Sequence, residues 1–171
     1  HGNIAYILQG LKENRFLVKL NKNTFALNNK KGLIEKWLVE YKETLQPKLK
    51  VGQFRFINKT QSTNWRNIKL QEGKTWWGGE PAGDLLTNYL RPGKLTLYTN
   101  EPRNDLLKNY KLIPDPEGDI QVYKKFWHKT LDTQTNTVPS LLVYTDLINM
   151  GDKRCSETAE IIFKEYVEPN L

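Results

Sequence analysis

A pair of glycines directly before a predicted helix, Gly78 and Gly79, has the position expected of a phosphate-binding loop. Such loops bind phosphate through several backbone N–H groups and usually place a lysine at the start of the helix. Here the glycines are followed by Glu80, whose carboxylate repels an anion, and by Pro81, which has no N–H to donate. The sequence therefore favours a tight turn, which lets the two preceding tryptophans pack, over a nucleotide site.

Carboxylates are the second group of residues that could carry chemistry, as the acids of a nuclease or a nucleotidyltransferase. A nuclease of the PD-(D/E)xK type needs an acid and then an acid-x-Lys motif on the next strand. Asp115 follows a proline as the first half requires, but Val122 stands where the second acid should precede Lys124. The Gly-Ser loop and paired Asp-x-Asp of a nucleotidyltransferase are absent. We expect Asp84 and Asp146, in otherwise apolar helices, to be surface or capping carboxylates.

Cysteine and histidine are too few for most other chemistry. Cys155 is the only cysteine, and His1 and His128 are the only histidines, so no internal disulfide can form and metal binding is not expected. Arg154 stands beside Cys155 and could lower the pKa of the thiol, but no histidine is close in sequence to act as its base. The sequence predicts no catalytic centre, no metal site and no cofactor.

The N-terminal end carries a pattern typical of DNA-binding proteins. Four apolar side chains fall at helical spacing: Ile4, Ile7, Leu8 and Leu11. The helix that they predict ends near Asn14, and two β-rich segments, 16–20 and 24–28, then flank a polar turn and predict a hairpin. A helix followed by a basic hairpin is the second half of a winged helix. An ordinary helix and hairpin that cap a core would give the same pattern.

If the apolar side chains of this helix face inward, the opposite face is free to contact DNA. The candidates for contacting base edges are Asn3, Tyr6, Gln9 and Gly10. The lysines around them are candidate phosphate contacts: Lys12, Lys19, Lys22, Lys30 and Lys31. The two helices that come first in a winged domain are absent, and the chain starts at His1 with Met150 as its only methionine. We therefore expect a fragment or a processed chain.

The charge distribution agrees with a nucleic-acid partner at this end. Residues 1–60 carry 12 lysines and arginines against 4 acidic residues, a net charge of +8. Residues 61–171 carry 14 against 15, a net charge of −1, which gives the overall +7. A cation excess at one end suggests a segment that faces nucleic acid, although a solubilising lysine face has the same composition.

The remainder predicts an α+β fold: a connecting helix, then a domain with a small mixed sheet and two C-terminal helices. The connecting helix spans 32–49 and is ended by Pro47. Strands are predicted at 54–57 and 94–99, and as a hairpin formed by 111–113 and 119–126. Helices are predicted at 81–90, 104–110, 139–150 and 156–167, with a mobile loop at 129–138. The expected domains are 1–31, the second half of a winged helix-turn-helix; 32–49, the connecting helix; and 50–171.

Length and hydropathy predict a cytoplasmic protein with no membrane partner. The chain has 171 residues and a mean hydropathy of −0.66. No apolar run approaches the length of a membrane span, and nothing at the start resembles a signal peptide.

Two long blocks, 76–99 (WWGGEPAGDLLTNYLRPGKLTLYT) and 138–167, resemble the AbiEi family antitoxins of type IV toxin–antitoxin systems. The segments 123–127 and 32–49 also match the layout of that family, so the resemblance covers roughly residues 4–167. It implies a winged helix-turn-helix that represses the operon by binding double-stranded promoter DNA. It also implies a C-terminal antitoxin domain that counters a nucleotidyltransferase-like toxin without a stable complex, and no enzymatic activity.

Two other classes of function stay open at this point. One is a diverged nuclease-like enzyme whose acids converge only in three dimensions: Glu80, Asp84, Asp115 and Asp119. The other is a protein-interaction module that presents Trp76 and Trp77, which would require these rings to be exposed. We expect both tryptophans to be mostly structural, with at least one of them buried.

Overall fold

The structure is a computed structural model that describes residues 2–22, 24–133 and 135–171. The chain forms two compact units, a smaller one that ends at Tyr41 and a larger one over Lys42–Leu171. Each unit is described by itself.

The smaller unit contains two helices and a short hairpin: α1 (Gly2–Glu13), β1 (Leu17–Lys19), β2 (Phe25–Leu27) and α2 (Lys30–Glu40). The strands are antiparallel, with Leu17 opposite Leu27 and Lys19 opposite Phe25. The predicted helix and hairpin are therefore confirmed. The helix α2 begins two residues before the predicted connecting helix because the side chain of Asn29 accepts a hydrogen bond from the backbone N–H of Gly32.

Helical structure continues to Leu49, the predicted last residue of the connecting helix, but Pro47 does not end it. A π-helical turn (Tyr41–Leu45) follows α2, and Pro47 lies inside the short helix α3 (Gln46–Leu49). It occupies the first turn of α3, where the N–H that proline lacks would have no intrahelical acceptor. Proline is therefore tolerated there.

A five-stranded mixed sheet forms the centre of the larger unit, in the order β4-β5-β7-β3-β6. Its strands are β3 (Lys50–Phe56), β4 (Thr75–Gly78), β5 (Leu95–Thr99), β6 (Leu112–Pro114) and β7 (Ile120–Lys124). The neighbours β5 and β7 are parallel, and all other pairs are antiparallel. The α+β class with a small mixed sheet is confirmed.

The predicted hairpin of 111–113 with 119–126 is wrong, because β3 lies between β6 and β7 and pairs with both. The connection between β6 and β7 crosses the middle of β3 and is held there by hydrogen bonds. The backbone N–H of Asp115 donates to Gln53 O, and Gln53 Nε2 donates to Gly118 O at 2.7 Å. A Cβ at Gly118 would lie 2.0 Å from Phe54 O, so this crossing requires glycine.

Five helices complete the larger unit with α3: α4 (Thr60–Thr63), α5 (Gly79–Thr87), α6 (Arg103–Tyr110), α7 (Ser140–Met150) and α8 (Lys153–Ile162). The helix α5 ends before the predicted residue 90 because Asn88 adopts a left-handed conformation, with φ of 53°. The helices α7 and α8 are joined through Gly151, as predicted, and Asp152 caps α8. A π-helical turn (Phe163–Val167) follows α8.

Trp76 and Trp77 lie in the core, with 2% and 4% of their surface exposed. Trp76 packs edge-to-face against Trp127 at 5.5 Å between ring centroids, and Trp77 packs in the same way against Trp65 at 5.2 Å. The ammonium of Lys125 lies 4.4 Å from the Trp76 ring centroid and pairs with Asp132. The expected burial is confirmed, and the interaction module that needed exposed rings is excluded.

The segment predicted as a mobile loop, 129–138, is partly buried. Its last residues run beside β4: the backbone N–H of Trp77 donates to Asn136 O, and that of Val138 donates to Trp77 O. Thr137 and Val138 are almost fully buried. The sequence did not reveal these contacts, because they are backbone hydrogen bonds and do not depend on apolar side chains.

Candidate nucleic-acid interface

The candidate base-contacting residues lie on α1. Tyr6 is 80% exposed and Gln9 is exposed, with Gln9 Nε2 donating to Glu13 Oε1 at 2.8 Å. Gly10 is half-buried, and nothing lies within 4 Å of a Cβ built on it. The side chain of Asn3 lies outside the described residues. The polar groups described on this helix can therefore reach a partner.

The candidate phosphate contacts are all exposed: Lys12, Lys19, Lys22, Lys30 and Lys31. Lys12 connects the helix to the hairpin, because its ammonium lies 4.6 Å from the centroid of the Phe25 ring on β2. A cation over an aromatic face is weakly held at an exposed site and stays available to an anion.

The condition that the apolar stripe of α1 faces inward is not met. Ile4 and Ile7 are 66% and 58% exposed, Leu8 is exposed, and Leu11 is half-buried. The physical reason is the size of the neighbouring element: β1 and β2 have 3 residues each and cannot cover a helix of 12 residues. The opposite, polar face is thus not the only accessible face of α1.

The turn at Gly78 and Gly79, where α5 begins, binds a carboxylate of the chain itself. The carboxylate of Asp146, on α7, accepts hydrogen bonds from the backbone N–H of Gly79 at 3.1 Å and from the Tyr98 hydroxyl at 2.8 Å. Gly79 has φ of +50°, and a Cβ at Gly78 would lie 2.5 Å from the Tyr98 ring. The two glycines are therefore needed for a close approach to Tyr98 and Asp146, consistent with the predicted tight turn.

The four acids of the nuclease alternative do not assemble a metal site in the structure. Glu80 accepts the backbone N–H of Gly93, and two others pair with arginines: Asp84 with Arg66 at 2.6 Å, and Asp115 with Arg55 at 3.1 Å. Asp119 lines one surface cavity together with Asp115 and another together with Asp84. Within residues 2–22, 24–133 and 135–171, no group of three or more Asp, Glu, His or Cys side chains is placed to hold a metal ion. Asp84 and Asp146 were expected to be surface or capping carboxylates. Both are buried, so the surface alternative is wrong, but Asp146 does accept the N–H of Gly79, the first residue of α5.

The sequence left open whether Arg154 lowers the pKa of the Cys155 thiol, and the net shift is in the opposite direction. Burial, followed by the hydrogen bond with Asp152 and the charge of Glu80, raises the pKa of the Cys155 thiol to about 12. The nearby Arg154 opposes this shift only weakly. The thiol is protonated at neutral pH, which is the state of an unreactive, structural cysteine.

Sequence reasoning missed a buried polar cluster around Glu101. Its carboxylate accepts hydrogen bonds from Thr75, from the Tyr110 hydroxyl at 2.6 Å and from Asn109 Nδ2 at 2.6 Å. Burial, and secondarily the bond to Glu101, raise the pKa of Tyr110 to about 12. No short motif marks the cluster, because the donors come from β4 and α6, which are distant in sequence.

Residues 26–168 match a family described as transcriptional regulator, AbiEi antitoxin, type IV toxin–antitoxin system. The chain therefore belongs to the AbiEi antitoxin family. Neither the search of curated proteins nor the search of solved structures found a match. In the described parts of the chain, no helix combines the length and apolar character needed to span a membrane.

Proposed function

We propose that the chain is an antitoxin and transcriptional autorepressor that binds promoter DNA through its smaller unit. The observation that supports this is the exposed set of lysines on α1, the hairpin and α2, in a chain of a transcriptional-regulator family. The family match begins at residue 26, so α1 and β1 lie outside it and their role rests on their own chemistry.

In this proposal α1 is the recognition helix and the hairpin is the wing of a winged helix-turn-helix. Gln9 and Tyr6 contact base edges, because a glutamine amide can pair with adenine in the major groove. The lysines contact phosphates and release counterions, which makes binding dependent on salt. The side chain of Asn3 remains a proposed contact.

The larger unit, on this proposal, counters a nucleotidyltransferase-like toxin in the cytoplasm without forming a stable complex and without catalysing a reaction. Support comes from the family match, which covers this unit almost completely, and from the carboxylates of the nuclease alternative, three of which have partners within the chain. Co-expression with the toxin of the neighbouring gene should restore growth, and the two proteins should not co-purify. Hydrolysis of DNA, RNA or nucleoside triphosphates that disappears in Asp84→Asn or Asp119→Asn would overturn the non-enzymatic part.

DNA binding is tested by fluorescence anisotropy with the chain's own promoter and with random DNA, at two salt concentrations. Gln9→Ala should lose about 1–3 kcal/mol of discrimination between the two DNAs. Lys22→Ala should weaken binding to both DNAs alike and reduce the salt slope by about one unit.

The matched control is Lys164→Ala, an exposed lysine of the larger unit, which should change neither quantity. If the wild-type chain, preceded by whatever residues its gene encodes, shows no affinity for DNA at low salt, the winged-helix proposal is wrong.

A further inference from the structure

A polar cavity of about 460 Å³ lies in the larger unit, beside the glycine turn. Its wall includes Glu80 at the start of α5, Thr96 on β5, Gln121 on β7, and the cations Lys94 and Arg154. This volume is within the range of about 300–1,000 Å³ that is usual for small-molecule sites. The wall is dominated by polar side chains, so an apolar ligand does not fit it.

Two almost fully buried groups in this wall have unused hydrogen-bonding capacity. Glu80 is 4% exposed, and its Oε2 accepts the backbone N–H of Gly93 at 2.8 Å and lies 3.9 Å from Nη2 of Arg154, with which it forms an ion pair. Its other oxygen, Oε1, has no hydrogen-bond partner among the described residues. Thr96 is 3% exposed, and its hydroxyl has no partner in the described part of the chain either. Among the described residues only Gln61 Oε1 is a fully buried side-chain atom without a partner, so the Glu80 and Thr96 oxygens are open to the cavity, where a ligand can bond to them.

The charged side chains of the cavity wall that can still bind a ligand are of opposite sign. Asp146 is engaged by Gly79 and Tyr98, while Asp152 accepts the backbone N–H of Cys155 and lies 3.8 Å from Arg154. Lys94 is exposed and forms no ion pair with a described residue. The cavity thus offers one carboxylate that can accept from an amino group and one ammonium that can bind an anion.

We propose that this cavity binds a small polar molecule that carries both an amino group and an anionic group. The amino group donates to Glu80 and Thr96, and the anionic group pairs with Lys94 at the mouth. The side-chain amide of Gln121 is a further contact, since its oxygen accepts from Tyr123 and its nitrogen can donate to the ligand. The site is independent of DNA binding, because all its residues belong to the larger unit.

Two ligand sources share this chemistry, nucleotides with an amino-bearing base and amino acids, and the experiment separates them. The melting temperature of the full chain is measured with AMP, CMP, UMP, L-serine, L-glutamine or inorganic phosphate at millimolar concentration. A bound ligand at about ten times its Kd should raise the melting temperature by about 3–5 °C. If AMP and CMP raise the melting temperature more than UMP does, the ligand is a nucleotide. If L-serine or L-glutamine raises it, the ligand is an amino acid.

Three variants test the assignment of the contacts. Glu80→Gln keeps an acceptor for Gly93 but removes the charge, Thr96→Val removes the hydroxyl at similar volume, and Lys94→Ala removes the exposed cation. Each should lose at least half of the rise, whereas the control Lys108→Ala, on α6, should retain it. The proposal is overturned if none of the amino-bearing compounds raises the melting temperature of the wild type. A rise that survives in both Lys94→Ala and Thr96→Val, or one that phosphate alone reproduces, also overturns it.

Discussion

In the smaller unit, isoleucines of α1 lie exposed, whereas in the larger unit even carboxylates are buried and hydrogen-bonded within the chain. Ile4 and Asp146 illustrate the difference: the apolar side chain is in water and the charged one is in the core. Burial of a charge is tolerated only when the protein supplies its partners. The larger unit therefore carries its stability in internal contacts, while the surface of the smaller unit is available for a partner.

The largest expected effect that tests this comparison is at the centre of the larger unit. Trp76→Ala should lower the free energy of unfolding by about 3–5 kcal/mol, because it removes a buried indole that contacts Trp127 and Lys125. Denaturant titration measures it. Ile57→Ala, at an exposed position of the same unit, is the control and should change little. If neither Trp76→Ala nor Trp77→Ala changes the free energy of unfolding, the structural role is wrong and the two tryptophans instead recognise a partner.

The second effect concerns the buried carboxylate that caps α5. Asp146→Ala leaves the Gly79 N–H and the Tyr98 hydroxyl without this acceptor, and should destabilise the chain by about 1–3 kcal/mol. Glu160→Ala, at an exposed position of α8, serves as the control. If the two variants have equal stability in thermal unfolding, the capping interaction does not contribute.

A smaller and pH-dependent effect is expected at Asp152, which caps α8. Its side chain accepts the backbone N–H of Cys155 at 2.9 Å, and this hydrogen bond holds the pKa of Asp152 below its usual value. Asp152→Ala should cost about 1 kcal/mol at pH 7. A lowered folded-state pKa gives stability that is present above the unfolded-state pKa and is lost as pH falls through the folded-state value. The difference from wild type should therefore shrink in acid, and a difference that grows would contradict this cap.

The smallest effect is expected in the smaller unit. Ile7→Ser should change the free energy of unfolding by no more than about 0.5 kcal/mol, because the side chain is already in contact with water. Calorimetry of the variant and of Trp76→Ala under the same conditions gives the contrast directly. A loss above about 1 kcal/mol would mean that Ile7 is covered in solution, for instance by a second copy of the chain.

Local patterns in the sequence were enough to predict α1, the hairpin and the mixed α+β class. They failed where distant segments compete for one partner. The segment 111–113 has the composition and turn of a hairpin strand, yet β3 intervenes because it pairs with both β6 and β7. The spacing of Ile4 and Ile7 also gave the helix correctly but not its environment, since periodicity reports one face and not what covers it.

The candidate interface and the polar cavity also differ in whether a local sequence pattern could predict them. The lysines of the interface could be selected from the sequence because they are local and exposed. Lys94 and Thr96 are two residues apart at the start of β5, but Glu80 belongs to α5, and only the fold brings it to the same cavity. The raised pKa of Cys155 was equally hidden, because it comes from burial and not from its neighbour in sequence.

The internal anion at Gly79 has an evolutionary consequence. A descendant of this chain that gained a phosphate site here would have to lose Asp146, because its carboxylate already occupies the donor of the turn. It would also have to replace Glu80, whose charge opposes an incoming phosphate. Loss of Asp146 alone destabilises the fold, and replacement of Glu80 alone leaves the Gly79 N–H bonded to Asp146. Neither substitution is therefore advantageous by itself. More than one substitution therefore separates this turn from turns that bind phosphate through their backbone N–H groups.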